Sequence, residues 1–129
     1  MSLYEASVEH AFSARHALPL ADGKLEPSHE HTWRLKATFR SSRLEGAMGV
    51  VVDFTAAQQV LADAVAEMDG ADLNQLAAFK GVSPSAERVA EYLATKLTSQ
   101  TRSLGGRLHC LSVTEAVGCS AAFYPGIRE

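Results

Sequence analysis

Three of the five histidines are spaced so that they can converge on a single ion. His29 and His31 are two apart in His29-Glu30-His31-Thr32-Trp33, and on an extended strand residues two apart leave the same face. His16 closes an earlier alternating segment on that segment's apolar parity. If the two segments pair as a hairpin, the long intervening loop lets His16 approach the other two. Three imidazoles suit zinc, and a three-histidine set leaves a fourth position open for water or substrate. An open position lets the metal act as a Lewis acid or activate an oxygen ligand. The spacing alone equally admits a chance His-x-His pair on a strand, with His16 a core residue. His10 and His109 lack such company and read as structural histidines. Cys110 and Cys119 have no CxxC spacing and read as free thiols, small buried hydrophobes in a reducing compartment.

The elements that must position the histidines are legible from periodicity. Tyr4, Ala6, Val8, His10, Phe12, Ala14 and His16 share one parity, with Glu5, Ser7 and Glu9 on the other, the pattern of a half-buried strand over residues 2–16. Residues 29–40 repeat it. His29, His31, Trp33, Leu35, Ala37 and Phe39 face one way; Thr32, Arg34, Lys36, Thr38 and Arg40 face the other. The loop between holds Pro19, Gly23 and Pro27. After a glycine-bounded apolar stretch, residues 46–52, Asp53 stands as a helix N-cap. Phe54, Ala57, Leu61, Ala64 and Met68 follow at helical spacing. A second helix is expected to start at Ser83-Pro84, with Ser83 as cap and the proline in the first turn, burying Ala86, Val89, Leu93 and Leu97. Gly105-Gly106 ends it. Residues 107–115 and 119–125 read as two strands joined by a turn near Val117-Gly118. The order β-β-α-α-β-β predicts an α+β fold: a four-stranded antiparallel sheet with two helices on one face.

Length and charge narrow the classes of partner. A chain of 129 residues fits one domain, and a 47% hydrophobic content suffices for one modest core, to which association would add buried surface. The formal charge of −3 comes without a basic run, so neither nucleic acid nor an anionic membrane is expected as a partner. No apolar stretch approaches the roughly 18 residues of a transmembrane helix. The first residues lack the basic and apolar regions of a signal peptide, and the expected location is the cytoplasm.

The ordered motifs carry a family resemblance. Phe12-Ser13-Ala14-Arg15-His16 followed by His29-Glu30-His31-Thr32-Trp33 resembles the paired zinc motifs of the 6-pyruvoyl- and 6-carboxytetrahydropterin synthases. Gly49-Val50-Val51-Val52-Asp53-Phe54 is similar to the segment that opens their first helix. Asp69 through Leu73-Asn74, Pro84-Ser85-Ala86-Glu87 and Val113-Thr114-Glu115 match later landmarks in order. The resemblance covers nearly the whole chain, 1–129, as a single pterin-synthase-like domain. It implies a T-fold whose sheets close into a barrel in a homo-trimer, often stacked as a homo-hexamer, with sites at subunit interfaces. It implies zinc on His16, His29 and His31. The implied substrate is a pterin, 7,8-dihydroneopterin triphosphate, with Glu115 as the anchor of its ring.

The sequence departs from the family at proton-transfer positions. Leu25 stands where the usual enzyme has a cysteine. Asp69 is present, but Gly70 replaces the histidine of the family's Asp-His pair. Glu30 replaces a glycine, and Ala116 a hydroxyl residue. A subgroup of the family carries a glutamate at the offset of Glu26 and is associated with cleavage of the side chain to 6-hydroxymethyl-7,8-dihydropterin. The expected function is therefore a zinc-dependent lyase with Glu26 and Asp69 as catalytic candidates. The alternatives are a catalytically weakened zinc- and pterin-binding protein, and a 6-carboxytetrahydropterin synthase with rearranged catalytic groups. Arg15, Lys24 and Arg34 are candidates to hold the triphosphate, by proximity in sequence.

Overall fold

Alternation of apolar and polar residues over two long segments makes a hairpin the natural way to bury one face of each. In the computed structural model, which describes residues 2–126, β1 (Tyr4–His16) and β2 (His29–Ser41) pair antiparallel without interruption, from Tyr4 opposite Ser41 to His16 opposite His29. Phe12 and Trp33 stack across this pair with ring centroids 6.1 Å apart. The Trp33 indole N–H donates to the Ala14 carbonyl at 3.2 Å, which satisfies the one polar group of a fully buried ring. β4 (Arg107–Ala116) pairs with β2, and β5 (Cys119–Phe123) with β4, both antiparallel. To these four expected strands the structure adds a two-residue β3 (Ala71–Asp72), parallel to β1, giving the order β3-β1-β2-β4-β5. Such a short pairing carries no periodicity, so nothing in the pattern announces it.

Two register shifts interrupt β4. Thr38 pairs with Cys110 but Phe39 with Leu108, so His109 is an extra residue. Thr114 pairs with Ser120 but Ala116 with Cys119, so Glu115 is extra on the other side of the strand. Each is a β-bulge, which bends the strand and re-aims a side chain. The first bulge puts both Leu108 and Leu111 into the core despite their odd spacing.

Helix α1 (Phe54–Val65) begins as expected at Asp53, whose carboxylate accepts from the Thr55 and Ala56 amides at 2.9 and 3.4 Å. Ala57, Leu61 and Ala64 are buried. Phe54 is not; it remains 56% exposed. A helical side chain covers the turn before its own Cα, so the first residue of the helix reaches past the packed face. Met68 is buried but lies beyond the last helical residue.

Helix α2 (Ala86–Gln100) starts two residues later than its sequence suggests. Ser85, not Ser83, is the cap, accepting from the Arg88 amide at 3.2 Å. Pro84 stays outside the helix, where its carbonyl is free to accept from His16. Val89, Leu93 and Leu97 are buried as expected, joined by Ala90 and Ala94, while Ala86 is half-buried.

Both helices pack on the apolar face of the sheet, closing one cluster that includes Trp33, Phe39, Leu61, Leu93 and Leu111. Full burial of a large apolar side chain contributes about 1.5–3 kcal/mol. The apolar stretch before α1 is tied down by Gly106, whose amide donates to the Val51 carbonyl at 2.8 Å. A Cβ there would come within 2.6 Å of Val51, so only glycine fits. Cys110 and Cys119 are both free; Cys110 is buried as expected, whereas Cys119 is exposed because it opens the edge strand. Among the described residues, no helix is long and apolar enough to cross a membrane.

A polar bond joins the helices at their rim. The Tyr92 hydroxyl on α2 donates to Glu67, just past α1, and Lys96 reaches the same carboxylate at 3.3 Å. Burial, then the bond to Glu67, raises the Tyr92 pKa to about 12, so the fold favours the neutral phenol. Its stabilisation is complete below pH 10 and is lost as pH rises through 12. Hydrogen bonding to Tyr92 lowers the Glu67 pKa, so that contribution is lost instead as pH falls through the carboxylate range. Tyr92→Phe should therefore cost about 0.5–1.5 kcal/mol at neutral pH and flatten the loss of stability between pH 10 and 12. Denaturant titrations across pH check both.

Candidate metal centre

The hairpin register decides where the histidines go. His16 lies opposite His29, and Ala14 opposite His31, so the three imidazoles share the inward face where the sheet runs out. Ala14 is fully buried and small, which leaves room for the His31 ring. Ring centroids are 4.6 Å apart for His16–His29 and for His29–His31, and 5.3 Å for His16–His31. One nitrogen from each lies within 4.8 Å of the others. Trp33 forms the floor, 4.9 Å from His16 and 6.0 Å from His31.

Backbone carbonyls set the tautomers. His16 Nδ1 donates to the Pro84 carbonyl at 2.9 Å, and His29 Nδ1 to the Pro27 carbonyl at 3.1 Å. A carbonyl only accepts, so each Nδ1 carries the proton and each neutral ring turns an Nε2 lone pair toward the cluster, as metal-ligating histidines do. His16 Nε2 and His31 Nε2 are buried and have no hydrogen-bond partner. Burying such groups unpaired is costly, and an ion between them removes that cost. Desolvation lowers the His31 pKa, against the pull of Glu115, keeping that ring in the neutral form a metal needs. Burial, tautomer and spacing all fit zinc.

The carboxylates take different places. Glu115 lies closest: Oε1 is 3.2 Å from His16 Nε2 and Oε2 is 3.8 Å from His31 Nε2, with neither contact aligned as a hydrogen bond. Glu26 Oε1 is 3.7 Å from His29 Nδ1 and accepts from the Leu18 amide at 3.0 Å, so its side chain is held at the neck of the loop. Leu25, beside it, is 63% exposed. Asp69 is not brought to the cluster. Its carboxylate accepts from the Ser13 amide at 3.0 Å, three residues before His16 on an extended strand, roughly 10 Å away along the backbone. Strand alternation sends Arg15 and Arg34 to the opposite sheet face from the histidines. Arg15 there donates to the Ser28 carbonyl at 3.3 Å, and Lys24 is exposed on the loop. His10, opposite Leu35, and His109, at the first bulge of β4, both stand apart from the cluster.

Two positioning groups escape a reading by spacing. One is the Pro84 carbonyl, for which no residue type gives a signal. The other is Asn74, whose side chain donates to the Ala17 carbonyl at 2.9 Å and accepts from its amide at 2.8 Å, latching the residue after His16. Its signal in the sequence is the Leu73-Asn74 landmark of the family resemblance, which does not show what the side chain binds.

An antiparallel sheet backed by two helices, with three histidines and a carboxylate gathered at its end, defines a T-fold protein with a candidate metal centre. The chain belongs to the 6-pyruvoyl tetrahydropterin synthase family, whose sequence pattern matches residues 5–125. Its fold is that of the 6-pyruvoyl tetrahydropterin synthase of Caenorhabditis elegans, at TM-score 0.80 and 19% identity over 98% of both chains. An uncharacterized protein of Wolinella succinogenes matches at 0.75 and 17% identity, over 97% of this chain and 99% of that one. A 6-pyruvoyltetrahydropterin synthase of Plasmodium vivax, in a variant whose catalytic glutamate is replaced by alanine, matches at 0.74 and 14% identity, over 98% and 100%. No curated protein shows a significant sequence match.

Two measurements check this geometry. The purified protein is expected to carry about one zinc per chain by elemental analysis, with His29→Ala and His31→Ala each losing it. Asn74→Ala should lower the stability of the metal-free protein by about 1–3 kcal/mol in denaturant, because two half-buried backbone groups lose their partners.

Proposed function

We propose that this protein is a zinc-dependent lyase that cleaves the side chain of 7,8-dihydroneopterin triphosphate to 6-hydroxymethyl-7,8-dihydropterin. The observation that carries this reading is Glu26, a carboxylate 3.7 Å from His29 on the outer, Nδ1 side of that ring and tied to the Leu18 amide, next to an exposed leucine where a cysteine would serve the pyruvoyl-forming reaction. The catalytic glutamate of the Plasmodium vivax relative supports a carboxylate in that office.

Zinc on His16, His29 and His31 would supply a Lewis acid that acidifies a substrate hydroxyl. Glu26 takes the hydroxyl proton, and the acidified hydroxyl makes even a weak carboxylate base sufficient. The carbon bearing that hydroxyl becomes an aldehyde as its bond to the ring-proximal carbon breaks. The electron pair passes into the pterin ring, and a proton then completes the hydroxymethyl group. Glu115 holds the ring, accepting from its 2-amino and ring N–H edge. This cleavage needs fewer proton relays than pyruvoyl formation, which would call on groups that Leu25 and Gly70 cannot supply. Asp69 contributes to catalysis only across a subunit boundary, since within one chain it serves the β1 backbone. Assembly as a homo-trimer or homo-hexamer would also cover the edge strand β5, whose free backbone groups invite pairing.

Incubation with 7,8-dihydroneopterin triphosphate and identification of the product tests the proposal. The hydroxymethyl pterin is expected as the main product; the pyruvoyl compound in its place overturns the reading, and no turnover at all leaves a binding protein. Glu26→Ala should slow turnover by about 10²–10⁴-fold while pterin affinity holds in calorimetry.

A further inference from the structure

The end of the hairpin remote from the histidines gathers positive charge. Arg40 on β2 lies directly opposite Arg107 on β4. Cβ atoms so paired are about 4.5–5.5 Å apart, and like charges there destabilise a sheet. Glu5, opposite Arg40 on β1, relieves one of the two, accepting from Arg40 Nε at 2.7 Å. That contact leaves open the fork formed by the two terminal nitrogens of Arg40. Arg107 has no ion-pair partner among the described residues. The first bulge of β4 adds a third donor. His109 is its extra residue, and the Tyr124 ring packs edge-on against the imidazole, with centroids 5.4 Å apart. Arg40, Arg107, His109 and the exposed Ser42 line one cavity of about 430 Å³. Leu3 and Leu108 give it an apolar wall, and among the described residues no carboxylate lines it.

We propose that this cavity binds a small phosphate ester, whose phosphoryl group bridges Arg40 and Arg107 while His109 and Ser42 complete its donors. A guanidinium fork matches phosphate oxygens two at a time. An anion shared by the two arginines replaces their mutual repulsion with attraction to a common centre. A bare phosphate fills only a small part of such a volume, which is in the range of sites for whole small molecules. The remainder, against Leu3 and Leu108, takes the organic body of the ester. This site is separate from the metal centre. Glu5 and His16 lie at opposite ends of β1, roughly 35 Å apart on an extended strand, so a substrate bound at the histidines of the same chain does not reach it. The inference stands whether or not the lyase reading does.

Calorimetry of the metal-free protein with adenosine 5′-monophosphate, and separately with inorganic phosphate, tests this at ionic strength matched with sodium chloride. Both should bind, the ester more tightly. Arg107→Gln should weaken ester binding by about 10–100-fold, the loss of a charge-assisted hydrogen bond. Arg107→Lys keeps the charge without the fork and should recover only part of that loss. His29→Ala should bind the ester as the wild type does. In phosphate-free buffer Arg107→Gln should melt no lower than the wild type, because a like-charge pair has been removed; the same measurement confirms that the variant folds. Unchanged ester affinity in Arg107→Gln overturns the site. Loss of binding in His29→Ala overturns it too, since the anion then sits at the metal centre. Equal affinity for ester and inorganic phosphate overturns the ester as ligand, because the apolar wall then contributes nothing. A wild type that binds neither compound overturns the proposal as a whole.

Discussion

The unbroken register between β1 and β2 is the constraint on which the site depends. His16 opposite His29 and Ala14 opposite His31 place three imidazoles on one face only because side chains alternate with a period of two. A slip of one residue would turn a whole strand's inward set to solvent. Trp33, Leu35, Ala37 and Phe39, all fully buried, make that slip prohibitive. The apolar residues thus hold the register, and the histidines, on the same parity, inherit their placement from it.

The same inward face changes character along its length. Beneath the helices it is aliphatic and aromatic. Past them it carries His16, His29, His31 and Glu115, polar groups on core parity with little to pair with. Unpaired buried nitrogens are a stability cost, offset in part by carbonyls of Pro84 and Pro27 that take the outer ring protons. Those carbonyls come from loop residues that stay outside regular structure. The late start of α2 and the proline-bounded loop before β2 are therefore parts of the site, although neither carries a reactive group.

The departures from the family pattern have local physical settings. Gly70 sits at φ +78°, a backbone that side chains rarely adopt, and its amide donates to the Ser13 carbonyl where β3 meets β1. Asp69 bonds the amide of the same Ser13. Together they serve as a clamp on the β1 edge, which accounts for an aspartate surviving without its histidine. Glu26 is likewise bound into the loop neck through Leu18, by its carboxylate and by its own amide. Unlike Asp69, however, it also faces a histidine of the cluster.

By itself the sequence determined what repeats locally: the two alternating strands, the Asp53 cap, the buried stripe of α2 and the face shared by His29 and His31. It also carried the ordered motifs that name the family. These follow from periods of 2 and 3.6 and from single-residue caps, which depend on neighbours in the chain. Tertiary structure alone decided the rest. The bulges at His109 and Glu115, the parallel β3, the choice of Ser85 over Ser83, the Asn74 latch and the tautomers of His16 and His29 all arise from partners distant in sequence. A bulge leaves no periodic trace, and a carbonyl has no residue type. Such features become visible only when the chain has folded and each buried polar group has had to find its partner.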